Sequence, residues 1–269
     1  MIRATILGCG SSGGVPRIGG NWGACDPANP RNRRRRCALL VERIGAGGRT
    51  QVLIDTGPDM VPQLLDAGVA RLDAVLWTHA HADHLHGIDD LRQVAINRAG
   101  LVECWADEAT AAVLLKRFGY IFETPPGSSY PPVCWLNHIR REVAIEGPGG
   151  TLHFAPFVVN HGDIDALGFR VAAPGGGIVY LPDVLAIPEA AWPRIEGAEV
   201  FICDALRRKP HPSHAHLALT LEWIARSGAR RGVLTNMHHD LDYATLAAET
   251  PAHVEPAFDG MVIEVDAGR

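Results

Sequence analysis

The stretch Leu72–Asp90 reads LDAVLWTHAHADHLHGIDD. An apolar run from Leu72 to Trp77 climbs to Thr78, and His79, His81, Asp83 and His84 follow within six positions. The spacing predicts a buried strand over Leu72–Thr78, a helix from Leu85 onward and the histidine cluster in the turn between them. On an extended backbone His79 and His81 face the same way. Asp83 and His84 are adjacent, so on a turn they address two different centres. Three imidazoles and a carboxylate at this spacing suit a divalent transition metal, zinc above all.

Around that stretch lie 269 residues with 47% apolar and 20% charged side chains. Such a length fits one α/β or sandwich domain, here taken as 1–269. With 29 glycines and 19 prolines the chain is rich in loops, and its composition carries no signature of disorder. The formal net charge of −5 argues against a dedicated nucleic-acid binder. The six cysteines are scattered without a CxxC pair, which fits reduced, buried thiols. The opening MIRATILGCG is no signal peptide and no apolar run approaches a membrane span, so a soluble cytoplasmic protein is expected.

Outward from the cluster, the polar groups recur where apolar runs end. Gln51–Ile54 ends in Asp55, a carboxylate placed to orient a ligating imidazole or simply to cap a turn. Leu152–Val159 ends in Asn160-His161, Gly177–Leu181 in Pro182-Asp183, Ala198–Cys203 in Asp204, and Arg231–Thr235 in Asn236-Met237-His238-His239. Ligands brought from distant strand ends are how a rigid scaffold converges a site. These groups exceed what one metal needs, and two ions bridged by a carboxylate would use them. Ahead of them, Gly8–Gly20 is a glycine-rich loop without a Walker lysine. Arg31 and Arg33–Arg36 are the densest positive charge. They are read either as a solvated loop or, at Arg34, Arg35 and Arg36, as phosphate ligands at a site mouth. Tyr120–Pro132 is expected to be a loop over a site. Strands with interspersed helices suggest two sheets packed face to face with helices outside.

HAHADH at His79–His84 resembles the His-x-His-x-Asp-His signature of the metallo-β-lactamase fold, and Asp55-Thr56-Gly57 resembles that superfamily's upstream strand-end aspartate. The implied architecture is a four-layer αββα sandwich. GCGSSGGVP at Gly8–Pro16 resembles the opening of tRNase Z and its relatives. The segments Trp22–Arg36, Lys209–Leu217 (KPHPSHAHL) and Ala257–Met261 (AFDGM) resemble the cyclic-phosphate phosphodiesterases of the carbon–phosphorus lyase pathway.

That resemblance implies two divalent ions, zinc or manganese. His79, His81 and His161 would hold one, Asp83 and His84 the other, with Asp183 bridging. His214 would be the general acid for a departing alkoxide. The implied reaction is attack of a bridging hydroxide on a small phosphodiester, cyclic or open, or on a nucleotide. RNA is disfavoured by the lack of a basic arm, and a dimer is common among look-alikes.

The chain departs from the pattern at Asn236, where the family carries a histidine. His238, two residues on, would face the same way on an extended backbone and is expected to replace it, ahead of His239. Only Cys25 remains of the cysteine-rich zinc site that some relatives carry in the loop after the first strand, so no such site is expected. The rival readings are another hydrolase of this fold, acting on a thioester or lactam or resembling the pyrroloquinoline quinone biosynthesis protein B, and a non-catalytic protein that binds metal and nucleotide.

Overall fold

Alternation of apolar residues dictates the architecture. In Gly48–Ile54 and Ala74–Leu76, Val52, Ile54, Ala74 and Leu76 point to one core, and Leu53, Val75 and the following Trp77 to a second. A strand buried on both faces must lie between two apolar layers, so helices have to cover the outside. The structure is a computed structural model that describes residues 1–268.

In chain order the elements are β1 (Ile2–Gly8), β2 (Ala38–Gly45), β3 (Gly48–Ile54), α1 (Met60–Asp66), β4 (Ala74–Leu76), α2 (Ala82–Leu85), α3 (Leu91–Arg98), β5 (Val102–Ala106), α4 (Glu108–Phe122) and β6 (Cys134–His138). The second half holds β7 (Val143–Ile145), β8 (Leu152–His161), β9 (Ile164–Val171), β10 (Ile178–Leu181), β11 (Val200–Asp204), α5 (Leu217–Ser227), β12 (Arg231–Thr235), α6 (Tyr243–Glu249), β13 (Val254–Pro256) and β14 (Met261–Val265).

Two seven-stranded sheets result, ordered β14-β1-β2-β3-β4-β5-β6 and β13-β12-β11-β10-β9-β8-β7. Their inner faces share one core, in which Ile6, Val41 and Ile54 of the first sheet meet Phe154, Phe169 and Phe201 of the second. The outer face of the first sheet packs Leu53, Trp77 and Cys104 against Met60 and Leu64 of α1, Leu91 of α3 and Leu114 of α4. α5 and α6 send Ile224 and Leu246 onto the second sheet. This is the expected αββα sandwich of the metallo-β-lactamase fold. All six cysteines are free and buried. No helix among the described residues is long and apolar enough to cross a membrane.

Three local expectations change. Asp83 and His84 sit on the one-turn helix α2 rather than in an open turn, and a 3-10 turn at Ile88–Asp90 separates it from α3. α4 runs on through Tyr120 to Phe122 across a kink at Phe118, where φ is −129°. The proline-rich segment that follows, residues 123–132, lines no part of the cavity over the histidine cluster. β13, a three-residue strand, has no sequence signal beyond Val254.

β3, β4, β5 and β6 run parallel, as do β10, β11, β12 and β13. Parallel strands present their carboxyl ends along one edge, and that edge is where open α/β sheets place ligands. Asp55, His79, Asp183, Asp204 and Asn236 each stand just past, or at, such an end.

Candidate metal centre

The backbone at the strand ends is bent to aim side chains inward. Asp55 has a positive φ of 68° and Asn236 one of 58°. Asp and Asn tolerate this left-handed region better than other residues with a Cβ. At Asp55 the bend turns a wholly buried carboxylate toward β4. Its Oδ1 accepts from the Thr78 backbone N–H at 2.8 Å. Its Oδ2 accepts from Thr78 Oγ1 at 2.8 Å and from His84 Nδ1 at 2.7 Å.

These bonds fix the imidazole tautomers. The Thr78 hydroxyl donates to Asp55, so it accepts from His79 Nδ1, 3.0 Å away. His161 Nδ1 donates to the Ser213 carbonyl at 2.6 Å. His79, His84 and His161 therefore each turn Nε2 inward, with the outer ring nitrogen held as ligating histidines hold it.

The inward atoms converge on one carboxylate oxygen. Asp183 Oδ2 lies 3.3 Å from His79 Nε2, 3.2 Å from His84 Nε2 and 3.6 Å from His161 Nε2. His81 Nδ1 stands 3.0 Å from His79 Nε2 and 3.1 Å from His161 Nε2. Asp83 Oδ2 is 3.5 Å from His84 Nε2. Three donor sets share Asp183: His79, His81, His161 and Asp183 on one side, Asp83, His84 and Asp183 on the other, and Asp183, Asp204 and His214 beside them. His84 Nε2 is buried and finds no hydrogen-bond partner although two carboxylate oxygens face it. Bare acceptors at such separations, away from water, are costly unless a cation sits among them. An N/O donor set of this kind fits zinc or manganese.

The charges of the metal-free chain follow the same logic. Burial alone would raise the Asp183 carboxyl, but the charge of His84 and the close approach of the His79 and His84 imidazoles hold it well below the carboxylate range. Burial would lower His84, yet Asp183, Asp55 and Asp83 push it well above an ordinary imidazole. A proton takes the place of a cation there. Burial brings His161 down to about 4.

His214 stands beside this centre, its ring 4.6 Å from that of His161. Its Nδ1 donates to Asp204 Oδ2 at 2.9 Å. Burial lifts the Asp204 carboxyl to about 7, and against the opposing effect of burial its proximity lifts His214 to about 9. His214 thus holds a proton at neutral pH. Asn236 donates from Nδ2 to Asp183 Oδ1 at 2.8 Å and to Asp204 Oδ1 at 3.3 Å. A cavity of about 430 Å³ opens above, lined by His81, Asp83, Asp183, His214, His211 and His238 together with Ser11, Ser12, Arg17, Leu206 and Arg207.

Two expectations are corrected. His238 lines the cavity but belongs to none of the three donor sets among the described residues. The parity argument placing it there needs an extended backbone, and the left-handed turn at Asn236 ends the strand at Thr235. His238 Nδ1 faces Asp240 Oδ1 at 3.0 Å and Nε2 faces the Arg17 guanidinium, so both ring nitrogens are engaged. His239 is in none of them either.

Arg34, Arg35 and Arg36 do not line the cavity. Arg34 is buried and donates to the carbonyls of Leu241 at 2.7 Å and His238 at 3.2 Å, which ties two loops together. Arg35 pairs with Asp66 at 2.7 Å and Arg36 with Asp59 at 2.7 Å. The arginines that do line the cavity are Arg207, which donates to the carbonyls of Lys209 and Pro210, and Arg17, whose buried Nε has no partner; Ser11 Oγ, on the same lining, is likewise unpartnered. Neither Arg17 nor Ser11 was legible in sequence, because the glycine-rich loop gives no periodicity to say which side chain turns inward. Asp204 had a signal, a carboxylate at a strand end, without one for its partner His214.

A family model described as "Beta-lactamase superfamily domain" matches residues 50–238. The crystal structure of a diphosphatase from the PhnP family superposes with a TM-score of 0.87 at 31% identity, over 99% of each chain. An octanoyltransferase of Porphyromonas gingivalis is 30% identical over 98% of this chain and 52% of its own length. A ribonuclease Z of Bradyrhizobium sp. is 30% identical over 60% of this chain and 52% of its own length. The chain thus spans about half the length of these two curated relatives. On matched residues, sandwich topology and strand-end geometry alike, the chain belongs to the beta-lactamase superfamily and has the metallo-β-lactamase fold.

Proposed function

We propose that the chain is a dinuclear metal-dependent phosphodiesterase acting on a small phosphodiester, cyclic or open, or on a nucleotide. The observation that carries this reading is the pairing of two donor sets through one oxygen of Asp183, with a protonated His214 at their side. His79, His81, His161 and Asp183 would hold one ion, and Asp83, His84 and Asp183 the other. Two such ions, zinc or manganese, would supply a nucleophile at neutral pH and Lewis acidity toward the phosphoryl oxygens.

The chain's own groups do the rest. Asp55 keeps His84 and, through Thr78, His79 in the ligating tautomer. Asp83 lies open to the cavity and is placed to orient the attacking oxygen. His214, kept protonated by Asp204, delivers its Nε2 proton to the departing alkoxide. Arg17 and Ser11, with unpaired polar atoms at the cavity wall, hold a non-bridging phosphate oxygen. The small cavity and the net charge of −5 favour a small substrate over RNA.

The experiment is turnover of bis(p-nitrophenyl) phosphate and of a 2′,3′-cyclic nucleotide, with zinc or manganese and with EDTA. Turnover is expected only with metal. His214→Ala is expected to lose about 10²–10⁴-fold on the cyclic nucleotide, whose leaving alkoxide needs a proton, and less on the nitrophenyl ester. Metal-bound protein inert on both substrates refutes the reading. A second reading, cleavage of a diphosphate, is favoured by the 31% identity to the diphosphatase. It predicts turnover of a nucleoside diphosphate, with a smaller dependence on His214 because phosphate leaves readily.

A further inference from the structure

Of the three donor sets, that of Asp183, Asp204 and His214 is taken up by the hydrogen bond between His214 Nδ1 and Asp204 Oδ2, and the other two are unequal. The first offers four groups, the second three, and Asp183 is counted in both. Where a fourth donor to the second ion would stand, at the carboxyl end of β12, the chain presents Asn236.

An asparagine amide can ligate only through its oxygen. Here the neighbours dictate which end of the amide turns inward. Nδ2 lies 2.8 Å from Asp183 Oδ1 and 3.3 Å from Asp204 Oδ1. Both atoms are acceptors. Reversing the amide would set its oxygen against two carboxylate oxygens in a buried site, so the N–H end stays inward. The left-handed backbone at residue 236, with φ 58°, fixes the direction of the side chain. His238 does not make up the deficit, because Asp240 and Arg17 engage both its ring nitrogens.

We propose that Asn236 makes the centre asymmetric: one ion is held tightly by His79, His81, His161 and Asp183, and a second, held by Asp83, His84 and Asp183 alone, is weak and exchangeable. Asn236 is a positioning residue. By occupying Asp183 Oδ1 it leaves Oδ2 alone to face the three imidazoles, and through Asp204 it ties that carboxylate to the partner of His214. This inference rests on the dinuclear reading above, but its test does not depend on any turnover.

Metal-stripped protein is titrated with zinc by calorimetry, and bound zinc is counted after dialysis against a chelator of graded strength. The wild type is expected to show one tight ion and a second at least 10²-fold weaker. Asn236→His, a residue that tolerates a positive φ, is expected to tighten the second ion at least 10-fold and leave the first unchanged. Asn236→Asp supplies an oxygen of the same size and is expected to act in the same direction if the histidine variant does not fold. Asp83→Ala is expected to abolish only the weak ion.

Two equally tight ions in the wild type, or no tightening in a folded Asn236→His or Asn236→Asp protein, overturns the proposal. If the asymmetry is found in a protein that turns over no phosphodiester, the inference stands and the phosphodiesterase reading falls. If turnover is found with two equal ions, the reverse holds.

Discussion

Replacement of Asp55 separates its two jobs. The carboxylate is wholly buried and accepts three hydrogen bonds, from Thr78 N–H, Thr78 O–H and His84 Nδ1. Asp55→Ala leaves three buried donors without partners, at about 1–3 kcal/mol each. It also puts alanine at φ 68°, where the left-handed backbone costs about 1–2 kcal/mol. The sum is a large fraction of the ~5–15 kcal/mol by which a domain is stable, so the alanine variant is expected to fold poorly. Asp55→Asn is the informative change. Asparagine keeps the shape, tolerates the backbone and can still accept from the Thr78 N–H through its oxygen. Its amide N–H₂ then faces His84 Nδ1 and Thr78 Oγ1, which both need an acceptor. His84 must give up its Nδ1 proton and keep the one at Nε2, the atom aimed at Asp183, which is the tautomer that cannot ligate there. We expect a loss of about 1–3 kcal/mol in the metal-free protein by urea denaturation in EDTA, and zinc affinity about 10–100-fold weaker by calorimetry. If Asp55→Asn binds zinc as the wild type does, the tautomer argument is wrong.

Four further changes test other parts of the structure. Arg17→Met is expected to raise KM for the phosphodiester several-fold with little change in Tm. Arg34→Met should do the opposite, costing about 2–4 kcal/mol because two carbonyls lose buried donors, read by thermal melting beside steady-state kinetics. Asp242 caps α6 by accepting from the Thr245 N–H at 2.9 Å and also accepts from Asn32 Nδ2 at 2.7 Å. Asp242→Ala should therefore cost about 1–2 kcal/mol in a urea melt. His161 is buried and its folded pKa is lowered to about 4, so unfolding takes up a proton below the ordinary value. A lowered imidazole pKa means stability is lost as pH falls from about 6.5 toward 4, at about 1.4 kcal/mol per unit. In EDTA, the stability of the wild type relative to His161→Gln should fall by about 3 kcal/mol between pH 7 and pH 4. A difference that stays flat with pH would contradict a neutral, buried His161.

The residues most legible in sequence were those whose chemistry coincides with a period break. His79–His84 follows an apolar strand, and His161 and Asp183 stand where β8 and β10 run out, so residue type and secondary structure pointed to the same edge. The layers followed too, because alternation in β3 and β4 demands two cores. The failures came where a local rule depended on an unseen contact. Parity carried His238 toward the metals only while the backbone stayed extended, and a single left-handed residue at Asn236 cancelled it. The arginine run looked available for phosphate, but Asp59, Asp66 and the Leu241 carbonyl, distant in sequence, engage Arg34–Arg36. Arg17, the pairing of Asp204 with His214 and the donor role of Asn236 became visible only once segments far apart in the chain had been brought to one edge.

The most direct test of the account is the rate of 2′,3′-cyclic nucleotide hydrolysis measured against zinc bound per chain. The account predicts negligible turnover while the first, tight ion fills, and a rise that tracks the second. Full activity with one ion bound, or turnover that survives removal of all metal, would contradict it.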